Sequence, residues 1–195
     1  MEYRIEQLYN ELTKIITPDT VFACIGAVKT TSYLDSVGPQ VGDILKKNGI
    51  PFIYGTHDRP YNGLTANGMA KMINKFHKHN TVIAIDTACA VSEEKLYKIQ
   101  IEKGRISPGA GINKKLPKVG DYAIKAYMML REERDLIINN NLLSSDKCVF
   151  LINKTDEMVK IISTAIIRAY KDALNKPLLD LVEIRAHNAA LYKLL

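Results

Sequence analysis

The 195-residue sequence has no tryptophan, only three cysteines and no apolar run long enough to cross a membrane. Each scarcity removes a class of protein. Without tryptophan, and with its other aromatics not interleaved among basic residues, the chain offers no stacking platform for single-stranded nucleic acid. Cys24, Cys89 and Cys148 are odd in number, widely separated and form no CxxC pair. They exclude a disulfide framework and a cysteine-based zinc site, and they suit a reducing compartment. The N-terminal residues are charged and carry no apolar leader core, so a cytoplasmic protein is expected, with no membrane partner. No basic block is present either. Lys plus Arg (27) exceeds Asp plus Glu (21) by six, and this charge is spread along the chain. That distribution reads as a solvated surface and not as a direct nucleic-acid interface.

With 47% hydrophobic and 25% charged residues, the composition is that of a folded globular domain able to bury its own core. One α/β domain over 1–195 is expected. Its core covers about 21–175, with an N-terminal helix over 4–16 and a further helix over 178–194. Ile5, Leu8, Leu12, Ile15 and Ile16 recur at helical spacing, and Pro18 bars continuation. Val21–Gly26 is a short continuous apolar run, the pattern of a strand buried on both faces in a parallel sheet. Helices are predicted over 37–48 and 64–79, with a short strand at 51–55 between them. Thr81–Asp86 is the clearest buried strand. Tyr97, Ile99 and Ile101 alternate with Lys98, Gln100 and Glu102, which marks a strand with one wet face near a sheet edge. Residues 103–120 form a long Gly-, Pro- and Lys-rich loop. A strand at 121–127, a helix at 128–141, a strand at 147–152 and a long helix at 155–174 follow, and Pro177 ends the last of these. Alternating strands and helices predict a three-layer α/β/α sandwich around a mostly parallel sheet.

In such folds the site lies beyond the carboxyl ends of the strands. Two acids fall there. Asp86 ends the Ile83-Ala84-Ile85-Asp86 strand, and Asp35 follows the first strand just ahead of a helix. Two carboxyls that meet cannot both ionise cheaply, so one pKa rises and the pair becomes an acid beside a base, suited to activating water on an amide. The structural alternatives are that Asp35 caps the next helix and Asp86 caps a loop. The segment Ser107–Asp121 lacks both a Walker Gly-Lys-Ser/Thr and a dinucleotide fingerprint. Its glycines allow close backbone approach to a ligand, or it is a plain surface loop. As a metal ligand at the strand ends only Asp86 is suitably placed, since the loop after Gly26 has no Glu and no His occupies an obvious third strand end. Cys89 paired with His57 or a later His is the pattern of a thiol protease, and a buried small hydrophobe is the alternative for Cys89. His77 and His79, near a helix end, read as dipole partners.

The ordered segments Asp35-Ser36-Val37-Gly38-Pro39, Tyr54-Gly55-Thr56, Ile83–Asp86 and Pro108–Asp121 together resemble the YyaC-type sporulation proteins, relatives of the spore germination protease. The wider group includes the hydrogenase-maturation endopeptidases, and the resemblance spans about residues 21–125. It implies a phosphorylase/hydrolase-like fold and an atypical aspartic endopeptidase that cleaves small acid-soluble spore proteins without a cofactor, inside the sporulating cell or the spore. It assigns Asp35 and Asp86 as the catalytic pair. Lys29 stands where the family usually has arginine, at the site entrance. With Gly109, Ala110, Gly111 and Asn113 it would meet the substrate. The alternative is a non-catalytic sporulation protein that binds a partner on the same scaffold. The last helix offers Leu178, Leu181, Val182 and Leu191 for docking or homo-oligomerisation, or for packing on the protein's own core.

Overall fold

The computed structural model describes residues 1–27, 30–109, 115–133 and 145–175. The expectation of a helix over 178–194 lies outside these residues. The elements run α1 (Glu2–Leu12), β1 (Val21–Cys24), a 3-10 turn (Thr30–Asp35), α2 (Val37–Lys47), β2 (Ile53–Tyr54) and α3 (Ala66–Phe76). They continue with β3 (Val82–Ala90), β4 (Ile99–Lys103), β5 (Tyr122–Leu130) and α4 (Ser145–Asn175). The five strands form one sheet in the order β2-β1-β3-β5-β4, parallel except for β4, which runs antiparallel to β5 at the edge. This is an α/β fold, as the alternating pattern predicts.

Strand periodicity divides the core in two. Phe22, Cys24, Ile83, Ile85, Ile124, Ala126 and Met128 point to one face, against α1, α2 and α4. Val21, Ala23, Ile25, Val82, Ala84 and Ala123 point to the other, against Tyr61, Ala66 and Ile73 near α3 and against Ile106 and Val119 of the long loop. Both faces of β1 are covered, which is why its sequence is apolar without alternation.

Three expectations are corrected. Lys147–Ile152 is helical, part of one continuous helix from Ser145 to Asn175. The five-residue apolar run Cys148–Ile152 fits either structure, and here Leu151 is buried while Val149, Phe150 and Ile152 are exposed, a helical division. Residues 128–130, predicted to open a helix, complete β5, because Met129 and Leu130 pair with Cys89 and Ala90. The remainder of that predicted helix, from residue 134, lies outside the described residues. β3 does not stop at Asp86 but continues four residues to Ala90.

Candidate active site

β1 ends one strand-pair short of Asp86. Cys24 is opposite Ile85, and the Ile25 N–H donates to the Ile85 carbonyl at 2.7 Å. The chain then turns sharply. Gly26 adopts φ +153°, and a Cβ built there would lie 2.0 Å from the Asp35 carbonyl oxygen, so only glycine lets the 3-10 turn fold back onto the strand end. Two sets of bonds fasten that turn. The Ala27 N–H donates to both the carbonyl oxygen and Oδ2 of Asp35, each at 3.1 Å. Thr87 Oγ1 of β3 donates to the Leu34 carbonyl at 2.9 Å. Asp35 is thus held at the rim of the sheet next to the strand that carries Asp86.

Asp35 does not cap α2. Ser36 occupies the N-cap position, and its hydroxyl donates to the Tyr33 carbonyl at 2.5 Å while accepting from Gln40 Nε2 at 2.7 Å. The Asp35 side chain is exposed.

Asp86 is half-buried in β3, in register with Lys125 of β5. Its Oδ1 accepts the Thr87 N–H at 2.9 Å. Burial pushes its carboxyl well above the usual carboxylate range, and the negative charge of Asp35 pushes it further. The Thr87 N–H and the Lys125 ammonium oppose that shift without cancelling it. Lys125 in turn forms an ion pair with Glu102 Oε1. The two acids therefore sit in unequal settings, one exposed and one half-buried, close enough for one charge to act on the other.

Other candidates fall elsewhere. Lys29, Ala110, Gly111 and Asn113 lie outside the described residues, and Gly109 is the last described residue on its side of the long loop, in a turn at φ +74°. Cys89 is half-exposed beyond a register shift in β3. His57 does not pair with it. Its Nδ1 is 2.5 Å from Asp43 Oδ2 on α2. His77 caps the end of α3, packs against Phe52 with ring centroids 4.9 Å apart and meets the Tyr54 hydroxyl at 2.9 Å. Among the described residues, no three His, Cys, Asp or Glu side chains converge as metal ligands would, and no helix is long and apolar enough to cross a membrane. Sequence reasoning missed Lys125, although a lone lysine in the otherwise uncharged strand Tyr122–Leu130 is a visible signal.

Comparison with known proteins agrees with the ordered motifs. The "Uncharacterized protein YyaC" of Bacillus subtilis (strain 168) is 37% identical over 119 residues, which cover 60% of this chain and 57% of that protein. The chain thus spans just over half the length of this relative. A family model described as "Protein of unknown function (DUF1256)" matches residues 1–162, a span that includes both acids, and the chain belongs to that YyaC-type family.

Proposed function

We propose that this chain is an atypical aspartic endopeptidase of the germination-protease type, acting on small acid-soluble spore proteins in the sporulating cell or spore. The observation that carries the reading is the asymmetry of the two acids. Asp86 is half-buried and its carboxyl is pushed well above the usual carboxylate range, which favours its protonated form, whereas the exposed Asp35 supplies the negative charge it feels. A water between them would give up a proton to Asp35 as it attacks the scissile carbonyl. Asp86 would donate its proton to the carbonyl oxygen. Asp35 would then pass its proton to the amine nitrogen as the C–N bond breaks, while Asp86 takes back a proton from the gem-diol hydroxyl that becomes part of the new carboxyl, which restores both acids. Gly109 would line the approach. No step calls for a cofactor.

A second reading, a partner-binding protein on the same scaffold, draws on the bond from the Ala27 N–H to Asp35 Oδ2, which gives that carboxylate a structural use. Cleavage of purified small acid-soluble spore proteins separates the two. Wild type is expected to cleave, and Asp35→Asn and Asp86→Asn, folded by circular dichroism, are expected to lose at least about a hundredfold, the scale of general acid–base catalysis. A folded wild type that cleaves nothing, or variants that cleave as fast as it does, would leave the partner-binding reading.

A further inference from the structure

Among the described residues, the strand β4 has a neighbour on one side only. The Tyr127 N–H donates to the Lys98 carbonyl and the Gly104 N–H to the Asp121 carbonyl. Antiparallel pairing therefore turns the Lys98 carbonyl, the peptide groups of Gln100 and Glu102 and the Gly104 N–H toward β5, while the Lys98 N–H donates to the Lys95 carbonyl. The N–H and C=O groups of Ile99, Ile101 and Lys103 point outward, and among the described residues nothing hydrogen-bonds to them. An open edge of this kind is a template for another strand. At its start the edge is closed by Arg4, whose Nη2 donates to the Tyr97 carbonyl at 2.8 Å.

We propose that this edge is a homodimer interface, with β4 of a second copy pairing antiparallel across a two-fold axis at Gln100 to join two five-stranded sheets into one of ten strands. Charge selects both the partner and the register. With the axis at Gln100, Lys98 lies opposite Glu102 of the second copy, and the symmetry makes that pair twice. Ile99 lies opposite Ile101, and Gln100 faces itself. An axis at Ile101 sets Ile99 opposite Lys103 and creates no opposite-charge pair. An axis at Glu102 sets the two Glu102 carboxylates against each other. Glu102 uses Oε1 for Lys125, which leaves Oε2 for Lys98 of the second copy.

The apolar surface agrees with this placement. Ile99 and Ile101 lie on the α4 face, only partly buried. On the same face Tyr97 meets Phe150 of α4 edge-on, with ring centroids 5.5 Å apart, and Phe150 remains 45% exposed. The two-fold axis would bring both copies' strips together along the seam.

The test uses sedimentation velocity and hydrogen exchange on the full chain over a concentration series. Wild type is expected to dimerise, with protection of the amides of Ile99, Ile101 and Lys103 rising with concentration. Lys98→Glu and Glu102→Lys each oppose like charges twice and are expected to weaken the homodimer about tenfold. An equimolar mixture of the two variants restores both intersubunit ion pairs and is expected to form a heterodimer tighter than either variant's homodimer, which also shows that neither variant is merely misfolded. A wild type that stays monomeric across the series, or a dimer indifferent to both charge reversals, would overturn the proposal.

Discussion

Two helical glycines should respond to the same substitution with opposite signs. Gly42 lies within α2, and a Cβ added there would sit 2.0 Å from the Gly55 carbonyl oxygen and 3.2 Å from Cys24 Cβ. Gly68 lies in α3, and a Cβ added there would meet nothing within 4 Å. Helix propensity alone favours alanine at an interior position by about 1 kcal/mol. At Gly42 that gain is set against overlap of the new Cβ with a backbone carbonyl, where no flexible side chain can yield and α2 must move off the strand. Overpacking of this kind costs about 1–3 kcal/mol, and a rigid backbone contact belongs at the upper end. Gly42→Ala is therefore expected to lose about 2 kcal/mol net, and Gly68→Ala, in the first turn of its helix, to gain about 0.5 kcal/mol. Urea unfolding followed by circular dichroism measures both, with unchanged slopes expected because the native surface is unchanged. A Gly42→Ala protein as stable as wild type would refute the close packing of α2 on β2 and with it the placement of Asp35.

Asp86 also makes stability depend on pH. Its folded pKa lies above its unfolded value of 3.8, so the native state holds a proton that the unfolded chain releases. The resulting stabilisation is full below about pH 4 and is lost as pH rises through the folded value. Asp86→Asn should remove this dependence and raise stability at neutral pH, by about 1.4 kcal/mol for each pH unit between the two values. Chemical denaturation from pH 4 to pH 8 checks it, and a wild type that gains stability over that range relative to the variant would contradict the sign. The carboxyl carbon resonance of Asp86 should titrate lower in Asp35→Asn, which removes a like charge, and higher in Lys125→Met, which removes an opposite one. Parallel shifts in the two variants would show that neither charge reaches Asp86.

Legibility differed between elements for reasons that lie in particular residues. β1 and the first half of β3 are readable because burial on both faces leaves no room for polar alternation. β4 is readable because one of its faces stays wet while Ile99 and Ile101 pack inward. The run Met128-Met129-Leu130 misleads because Met and Leu favour helices in isolation, whereas pairing with β3 overrides that preference here. Lys147–Ile152 misleads because exposed Val149, Phe150 and Ile152 hide the helical period that begins there and runs to Asn175. At the site, Asp86 stands out as the acid in an apolar strand. The fastening of Asp35 by Ala27 and Thr87 is not legible, because it depends on a tertiary fold-back between segments more than 50 residues apart in the case of Thr87 and Leu34 (|i−j| = 53).

That fold-back gives the Asp35-Ser36-Val37-Gly38-Pro39 motif a packing meaning before a chemical one. Gly38 and Gly42 are four residues apart and so share a face of α2. A Cβ on Gly38 would lie 2.1 Å from the Ile25 carbonyl oxygen, as one on Gly42 would lie 2.0 Å from that of Gly55. The helix therefore rests on the ends of β1 and β2 by its backbone. A helix seated that closely leaves its preceding turn no path except back over Gly26, where the Asp35 carbonyl fills the space a side chain would need. The position of Asp35 beside β3 is thus a consequence of the glycines around it. Any substitution that lifts α2 must also move the acid. Changes at Gly26, Gly38 or Gly42 should consequently reduce stability and alter the titration of Asp86 together, whereas Asp35→Asn should alter the titration with little loss of fold.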